Sequence, residues 1–274
     1  MKFLIVFSVF LVLVTGSPYD DAIKEFKGGI ESRVINGLPA ATNQFPYQAY
    51  IISDRAIGDR VQCSGVLINP RWLLTTAQCI KGYFRSLVLF SYSSYSDDDI
   101  PIIDASILIS HENYSTSYLN NDIGLIDLEQ ELNLSEKVNI IKLLGKDSIS
   151  NPFVGDTAQI SGYGELSNSG SSSQTSLYFG NVTVISNEEC TEYYGSKAVT
   201  SATICTKGPS IGEFNMCMGD QGGPLTGWNE SGEPVLLGLV SFGDSRGCDT
   251  DSPSAYIRPD HYIDWINEKT GLSF

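Results

Sequence analysis

From residue 33 onward, the sequence alternates between short apolar segments and clusters of Gly, Asn, Ser and Asp. Segments 49–52, 72–75, 123–128 and 235–242 each have the length of one strand and are bounded by turn residues. Many short strands separated by turns at intervals of about 8–12 residues are typical of a β-sandwich or a β-barrel. Segment 259–269 instead has apolar residues at helical spacing. We therefore predict an all-β fold with one C-terminal helix.

The first 33 residues have a different character. Residues 3–14 are apolar except for Ser8, follow Lys2 and precede small residues at 15–17. A membrane-spanning helix needs about 20 apolar residues, so this segment is too short to span and is typical of a signal peptide. We interpret 1–16 as a signal peptide and 17–33 as a short propeptide. The sequence therefore predicts a secreted, extracellular protein.

The acidic composition restricts the partners. The 274 residues include 17 Lys and Arg against 32 Asp and Glu, which gives a net charge of −15. Nonspecific nucleic-acid binding and adhesion to anionic membranes both depend on basic side chains. We therefore expect neither nucleic acid nor a membrane as a partner. If electrostatics steers association, a basic protein is the expected partner.

Six cysteines in a secreted chain predict disulfides rather than free thiols. Six cysteines allow fifteen pairings, and the residues alone do not select one. The sequence has no Cys-x-x-Cys pair, and His111 and His261 lie far from any cysteine, so we expect no metal site and no cofactor. Four Asn-x-Ser/Thr sequons are candidate glycosylation sites: Asn113, Asn133, Asn181 and Asn229.

Five motifs, in order along the chain, resemble those of the trypsin/chymotrypsin family of serine proteases. Residues 33–37 (RVING) are similar to the activation junction of that family, 72–79 (WLLTTAQC) to the segment around its histidine, and 217–224 (CMGDQGGP) to the segment around its serine. Residues 121–125 (NDIGL) and 161–164 (SGYG) match two further family segments. Segments 201–205, 240–243 and 253–256 resemble insect chymotrypsin- and collagenase-like members. The resemblance runs from residue 33 to about 266.

This resemblance implies two antiparallel six-stranded β-barrels with an active site in the cleft between them. It places the barrels at about 34–146 and 147–256 and the terminal helix at about 259–269, within one protease domain from 34 to 274. It also implies one disulfide pairing, Cys63–Cys79, Cys190–Cys205 and Cys217–Cys248. We expect the protein to be a monomer.

Two residues differ from the family at the positions of its catalytic side chains. The resemblance assigns the catalytic carboxylate to Asp122, the base position to Gln78 and the nucleophile position to Gln221. A carboxamide does not titrate near neutral pH and is a poor nucleophile, so neither glutamine replaces a histidine or a serine. Neither His111, in an outer loop, nor His261, in the terminal helix, is expected in the cleft. We therefore expect a degenerate triad and a chain that is not an enzyme.

Other parts of the family's site are present by position. The backbone N–H groups of Gly219 and Gln221 are an expected oxyanion-hole remnant, and hydrogen bonds among Gln78, Gln221 and Asp122 would satisfy the buried carboxylate. The junction Arg33–Val34 and Asp220 are the activation residues of the family, in which cleavage frees an amino group that pairs with the aspartate. By position, the specificity pocket has Asn215 and Met216 at its base, with no aspartate there, and Gly243 on one wall. Ser254 stands where the family usually has glycine, and its extra side chain is expected to narrow the pocket.

Three hypotheses follow for the function. The leading one is a secreted, non-catalytic serine protease homologue that binds a protease, an inhibitor or a host protein and acts as a decoy, cofactor or regulator of a proteolytic cascade. The alternative is a weak or atypical serine-type endopeptidase with residual activity. The third is a structural or storage protein with no partner.

Overall fold

The computed structural model describes residues 37–56, 59–90, 101–150, 152–164, 177–210, 214–248 and 250–274. One sheet contains seven strands: β2 (Gln48–Ala56), β3 (Asp59–Asn69), β4 (Trp72–Thr75), β5 (Arg85–Phe90), β6 (Ile102–Ala105), β7 (Ile107–Ser110) and β8 (Gly124–Asp127). The other contains eight: β1 (Leu38–Pro39), β9 (Lys142–Leu143), β10 (Thr157–Gly162), β11 (Tyr178–Ile185), β12 (Thr203–Lys207), β13 (Pro224–Trp228), β14 (Pro234–Phe242) and β15 (Ser254–Ile257). The α-helices in these ranges are α1 (Ala77–Ile80), α2 (Asn187–Tyr194) and α3 (Ile263–Thr270).

The first sheet curls so strongly that the strands at its two edges, β6 and β7, are consecutive in the sequence. Its antiparallel order is β6-β5-β2-β3-β4-β8-β7, and β6 and β7 are separated only by Ser106. Ser106 donates its backbone N–H and its hydroxyl to Oε1 of Glu129, at 2.9 and 2.8 Å, instead of continuing the ladder. The interruption lets β6 pair with β5 while β7 pairs with β8.

The second sheet closes into a barrel. Its strands follow the order β11-β10-β13-β14-β15-β12, and β12 pairs back onto β11 between Thr183–Ile185 and Cys205–Lys207. A mostly β molecule with two curled sheets and a C-terminal helix confirms the predicted fold class.

Two short strands that precede residue 146 pair with the second sheet. β1 lies before every strand of the first sheet but pairs with β11 of the second, and β9 at 142–143 runs parallel to β14. Both strands come from the first half of the chain, yet their main-chain hydrogen bonds are to strands of the second barrel. The connecting segments therefore fasten the barrels to each other.

The apolar side chains form a core in each barrel and a further cluster between them. The first barrel is filled by residues such as Ile51, Leu67 and Leu73, and the second by residues such as Ile160 and Leu225. A third cluster joins residues of both halves to the terminal helix, and includes Tyr50, Tyr163, Leu239, Trp265 and Ile266.

The terminal helix begins later than predicted. Residues Pro259–Tyr262 form a 3-10 turn, and the α-helix starts at Ile263. Proline at the start of this turn has no N–H to donate, which suits the first positions of a helical segment. The helix ends at Gly271, whose φ of 72° is the left-handed conformation that the predicted stop requires.

All six cysteines are paired as the resemblance implies. Cys63–Cys79 joins β3 to α1, Cys190–Cys205 joins α2 to β12, and Cys217–Cys248 joins the loops before β13 and after β14. The first and third disulfides therefore brace the segments that border the cleft. No helix in the described part of the chain is long and apolar enough to cross a membrane.

Candidate active site

A buried carboxylate lies at the junction of the two barrels. Asp122 immediately precedes Ile123 and β8 and is fully buried. Its Oδ1 accepts the backbone N–H of Gln78 at 2.9 Å, and its Oδ2 accepts the Gln78 Nε2 at 2.5 Å and the Ser241 hydroxyl at 2.6 Å. The carboxylate therefore joins α1 of the first half to β14 of the second.

Burial dominates the protonation of this group. Desolvation raises the pKa of Asp122 to about 6, and the hydrogen bonds from Ser241 and Gln78 oppose the shift because they favour the charged form. In this site the partner at position 78 is a neutral amide, so no opposite charge on that side chain holds the pKa down.

The orientation of Gln78 is set by two acceptors. Its Nε2 donates to the Asp122 carboxylate and also to the backbone oxygen of Ser241, at 2.8 Å. Because both acceptors require N–H groups, the remaining Oε1 is the atom turned away from Asp122 and Ser241. It makes no hydrogen bond with the residues that the structure describes, and Gln78 lines the cleft between the barrels.

Gln221 lies in a turn whose backbone is hydrogen-bonded to both halves of the molecule. Its carbonyl accepts the Ser64 N–H at 2.7 Å, and the next residue, Gly222, donates to Val240 O at 2.8 Å. Gly222 has φ of 82°, and a Cβ there would be 2.1 Å from Ser64 O, so only glycine allows this approach.

The side chain of Gln221 turns back onto the loop that carries it. Its Oε1 accepts the backbone N–H of Gly219 at 2.9 Å, and its Nε2 lies 3.9 Å from Met218 Sδ. The expected hydrogen bond between Gln78 and Asp122 is present, whereas Gln221 points to Gly219. The hypothesis that both glutamines bond to each other and to Asp122 is therefore wrong for Gln221.

The residues expected to form a specificity pocket pack against one another. A Cβ at Gly243 would lie 2.8 Å from Met216 Sδ, so the thioether packs directly against that wall. Ser254 is buried and its hydroxyl accepts the Met216 N–H at 3.0 Å, while Asn215 donates to the carbonyls of Cys248 and Thr250. The side chain against Gly243 is therefore Met216, while Ser254, the residue expected to narrow the pocket, is hydrogen-bonded to the Met216 backbone.

Gln78, Gln221 and Ser241 line one cleft of about 410 Å³ together with Met216 and Gly243. Its walls include Leu119 and Phe242 together with the charged pair Asp244 and Arg246, whose closest atoms are 2.5 Å apart. Sequence reasoning missed Ser241 as a site residue, although it lies in the segment 240–243 that carries part of the resemblance. It also missed Met218, which lies within the segment 217–224, and Arg246, for which no motif gives a signal.

Asp220 lies beneath this cleft and is buried. Its Oδ1 accepts the Gly164 N–H at 2.6 Å and its Oδ2 accepts the Cys217 N–H at 2.9 Å. Asp220 thus links the SGYG segment to the turn that carries Gly219. The other activation residues, Arg33 and Val34, and the signal peptide and propeptide at 1–16 and 17–33 lie outside the described residues.

Both histidines lie away from the residues that line the cleft. His111 packs against the rings of Tyr262 and Trp265, with centroids 5.4 and 5.2 Å apart, and His261 lies in the 3-10 turn before α3. Burial lowers the pKa of each. Among the described residues, no group of three or more His, Cys, Asp or Glu side chains is arranged to hold a metal ion.

The four sequons differ in their surroundings. Asn113, Asn133 and Asn181 are exposed, and Asn181 accepts a hydrogen bond from Gln159. Asn229 is half-buried, and its Nδ2 donates to Glu233 at 2.9 Å. Glycosylation of all four stays a prediction.

The fold and the site together define a serine-protease architecture, with a carboxylate, a base position and a nucleophile position meeting between two barrels. The trypsin family model matches residues 34–266, and the chain belongs to the trypsin family. It is 31% identical to a collagenase of Hypoderma lineatum over 274 residues, covering 100% of both chains. It is 32% identical over 242 residues to brachyurin of Leptuca pugilator, covering 88% of this chain and 100% of that one.

A solved structure of HL collagenase has the same fold. Its TM-score is 0.78 at 30% identity, and the match covers 88% of this chain and 100% of that one. A chymotrypsin of Phaedon cochleariae is also similar, with 31% identity over 236 residues, 85% of this chain and 80% of that protein.

These relatives overturn one expectation. The prediction that the chain is not an enzyme is wrong, because the relatives are named collagenase, brachyurin and chymotrypsin and point to a serine endopeptidase. That prediction depended on positions 78 and 221 alone, whereas the comparisons extend over the whole domain. The activity must nevertheless operate with glutamine at both of these positions.

Proposed function

We propose that this protein is a secreted, atypical serine-type endopeptidase with weak activity toward polypeptides. The observation that carries the proposal is that Gln78, Ser241 and Gln221 line one cleft, with Asp122 hydrogen-bonded to the first two and the Gly219 N–H bonded to the side chain of the third. The endopeptidase names of its relatives and the signal-peptide pattern at 1–16 support the activity and the location.

The reaction is hydrolysis by water. The scissile carbonyl oxygen, where negative charge develops, displaces Gln221 Oε1 from the Gly219 N–H and accepts hydrogen bonds from the N–H groups of Gly219 and Gln221. A water oxygen forms the new bond to the carbonyl carbon, the C–N bond breaks, and the water proton passes to the leaving amine. In serine proteases without a working triad, what remains of such a site accelerates hydrolysis about 10³–10⁴-fold over water.

The two glutamines account for the weakness. Neither amide takes up a proton at neutral pH, so the attacking water has no base at position 78. No covalent acyl-enzyme forms, because no hydroxyl is present at position 221. Gln78 instead acts as a positioning residue, since it holds α1 against Asp122 through its backbone N–H and its Nε2.

The substrate is a polypeptide with basic segments. The net charge of −15 favours such a partner, while the pairing of Asp244 with Arg246 leaves the cleft lining close to neutral. Met216 fills the position beside Gly243, so a large side chain on the substrate has no slot to enter there.

The test is slow cleavage of a denatured, lysine-rich polypeptide, followed by mass spectrometry. We expect cleavage without an initial burst and without loss of activity after a fluorophosphonate, which inactivates any contaminating serine protease. The double variant Gln78→His with Gln221→Ser is expected to gain activity by several orders of magnitude and to become sensitive to the fluorophosphonate. Each single variant should gain far less, because the triad acts as a unit. Absence of wild-type cleavage above the rate in buffer would overturn the proposal.

A further inference from the structure

The outer face of the second barrel carries an exposed tryptophan. Trp228, the last residue of β13, leaves 48% of its surface exposed, whereas Trp72 and Trp265 are buried. It lines two clefts, of about 340 and 570 Å³, which share no residue with the cleft that contains Gln78 and Gln221. A large aromatic ring between two concave surfaces is typical of a face that receives a ligand.

A strip of uncharged polar side chains leads from β11 to this tryptophan. Asn181 pairs directly with Gln159 across β11 and β10, and Thr183 pairs with Thr157. Alternate residues of a strand lie on one face of the sheet, and Asn181, Thr183 and Thr157 are exposed on that face. Gln159 lines one of the two clefts beside Trp228, and Thr157 lines the other. The strip therefore connects Asn181 to the indole.

The same strip contains a complete glycosylation sequon at 181–183. Asn181 and Thr183 are exposed, while the residue between them is buried. The Asn181 Oδ1 accepts the Gln159 Nε2 at 3.0 Å, and its Nδ2, the atom to which a glycan is attached, makes no hydrogen bond with the residues that the structure describes. At Asn229 the corresponding Nδ2 donates to a carboxylate at 2.9 Å. Asn181 thus presents its attachment atom without a competing bond.

Trp228 lies within reach of a glycan on Asn181. Gln159 pairs with Thr226, and Trp228 is two residues farther along β13. With strands about 4.8 Å apart and about 3.4 Å per residue, the Cα atoms of Asn181 and Trp228 are about 12 Å apart, a span of a few sugar rings. The C–H face of a sugar ring packs on an aromatic ring, and its hydroxyl and acetamido groups bond to threonine and carboxamide side chains.

We propose that Asn181 carries an N-linked glycan, and that its first sugars lie along Thr157 and Gln159 with one ring against the indole of Trp228. In the modification, Asn181 Nδ2 forms a bond to C1 of an N-acetylglucosamine, and the bond from C1 to the diphosphate of a lipid-linked oligosaccharide breaks. Nδ2 gives up one proton, and the lipid diphosphate leaves with the electron pair of the broken bond. The inference shares with the proposed function only the entry into the secretory pathway.

The first experiment measures occupancy. The full-length chain is secreted from insect cells, and its glycopeptides are identified by mass spectrometry. We expect Asn181 to be glycosylated in most molecules. Thr183→Val removes the hydroxyl that the sequon requires and should abolish the modification, whereas the matched control Thr183→Ser should retain it. An unmodified Asn181 in the secreted wild type would overturn the inference and leave both secretion and the endopeptidase proposal intact.

The second experiment tests the contact with Trp228 by acrylamide quenching of tryptophan fluorescence. The chain has three tryptophans, and the other two are buried, so quenching reports on Trp228. We expect the quenching constant to rise about twofold in Thr183→Val and after enzymatic removal of the glycan, because a stacked sugar covers one of the two faces of the ring. Asn133→Gln removes an exposed sequon elsewhere and should change nothing. Equal quenching with and without the glycan would show that it does not lie on Trp228.

The reciprocal variant is Trp228→Ala. It should leave the occupancy of Asn181 unchanged, but a peptide N-glycosidase should release the glycan from the folded protein about two- to tenfold faster, because the aromatic contact no longer holds it down. Phe84→Ala is the matched control, since Phe84 is an aromatic residue with 56% of its surface exposed elsewhere on the molecule. Equal release rates in the wild type and Trp228→Ala would overturn the docking.

These measurements are independent of catalysis. If the glycan is present and shields Trp228 but no polypeptide is cleaved, the inference stands and the proposed endopeptidase activity fails. If polypeptides are cleaved but Asn181 is bare, the inference fails alone. A chain that stays inside the cells with no glycan would overturn the inference together with the proposed location.

Discussion

At the scale of single residues, Asp122 shows how a neutral partner changes a buried carboxylate. Burial raises its pKa to about 6, so the folded state favours the protonated form. The stabilisation from that proton is complete below the ordinary pKa near 3.8 and is lost as the pH rises through 6. Between pH 4.5 and 7 this contribution falls by about 2 kcal/mol.

We predict a titration midpoint near pH 6 for the Asp122 carboxyl carbon in ¹³C NMR. A direct probe is needed because the lowered pKa values of His111 and His261 make stability rise with pH over part of the same range. Ser241→Ala removes a donor to the carboxylate and should move the midpoint higher, whereas Ser53→Ala, at a distant buried pair, should not. A midpoint near 4 in the wild type would contradict this assignment.

A second prediction concerns the glycine that lets Gln221 approach the first barrel. Gly222→Ala places a Cβ 2.1 Å from Ser64 O on a backbone with φ of 82°. We expect a loss of about 3 kcal/mol or more in the free energy of unfolding, measured with urea, because a backbone atom must move. Gly155→Ala is the matched control, since its φ is 87° but no atom lies within 4 Å of the added carbon. It should lose only about 1–2 kcal/mol.

The positions of the site residues could be predicted from the sequence, but their orientations could not. Motif order placed Gln78, Asp122 and Gln221 at one junction, and the structure brings Gln78 and Asp122 into contact. The orientation of Gln221 toward Gly219 depends on which donors surround it after folding. Likewise, the packing of Met216 against Gly243 depends on side-chain rotamers that no local pattern determines.

At the scale of elements, the strands were visible in the sequence because each carries its own apolar alternation and turn residues. β1 and β9 were not, since a two-residue strand has no periodicity and owes its pairing to main-chain hydrogen bonds with a distant strand. The start of α3 was missed for a related reason. The apolar spacing continues through Pro259–Tyr262, but the backbone there is a 3-10 turn.

The terminal helix carries a third prediction. Ile266 is fully buried in the cluster that joins the two halves, and Trp265 on the same helix donates to Glu112 at 2.9 Å. Ile266→Ala should lower the free energy of unfolding by about 2–5 kcal/mol, because it removes packed methyl groups and leaves a cavity. Glu268→Ala on the exposed side, where Glu268 pairs with Lys269, should change it by no more than about 0.5 kcal/mol. Similar losses in both variants would show that the helix is not docked through Ile266.

At the scale of the whole molecule, the charge of −15 and the nearly neutral cleft lining have separate effects. The net charge acts over a Debye length, which shrinks from about 30 Å at 0.01 M salt to about 8 Å at 0.15 M. The paired Asp244 and Arg246 act only at contact. Long-range attraction should therefore govern how fast a basic polypeptide arrives, while the cleft governs what is bound.

We predict that the association rate for a lysine-rich peptide, measured by stopped-flow fluorescence, falls about tenfold or more between 0.01 and 0.15 M salt. A glutamate-rich peptide of the same length should associate faster as salt increases, because screening removes a repulsion. An uncharged peptide is the control and should show little change. If all three respond alike, the acidic surface does not steer substrates, and their selection depends on the cleft lining alone.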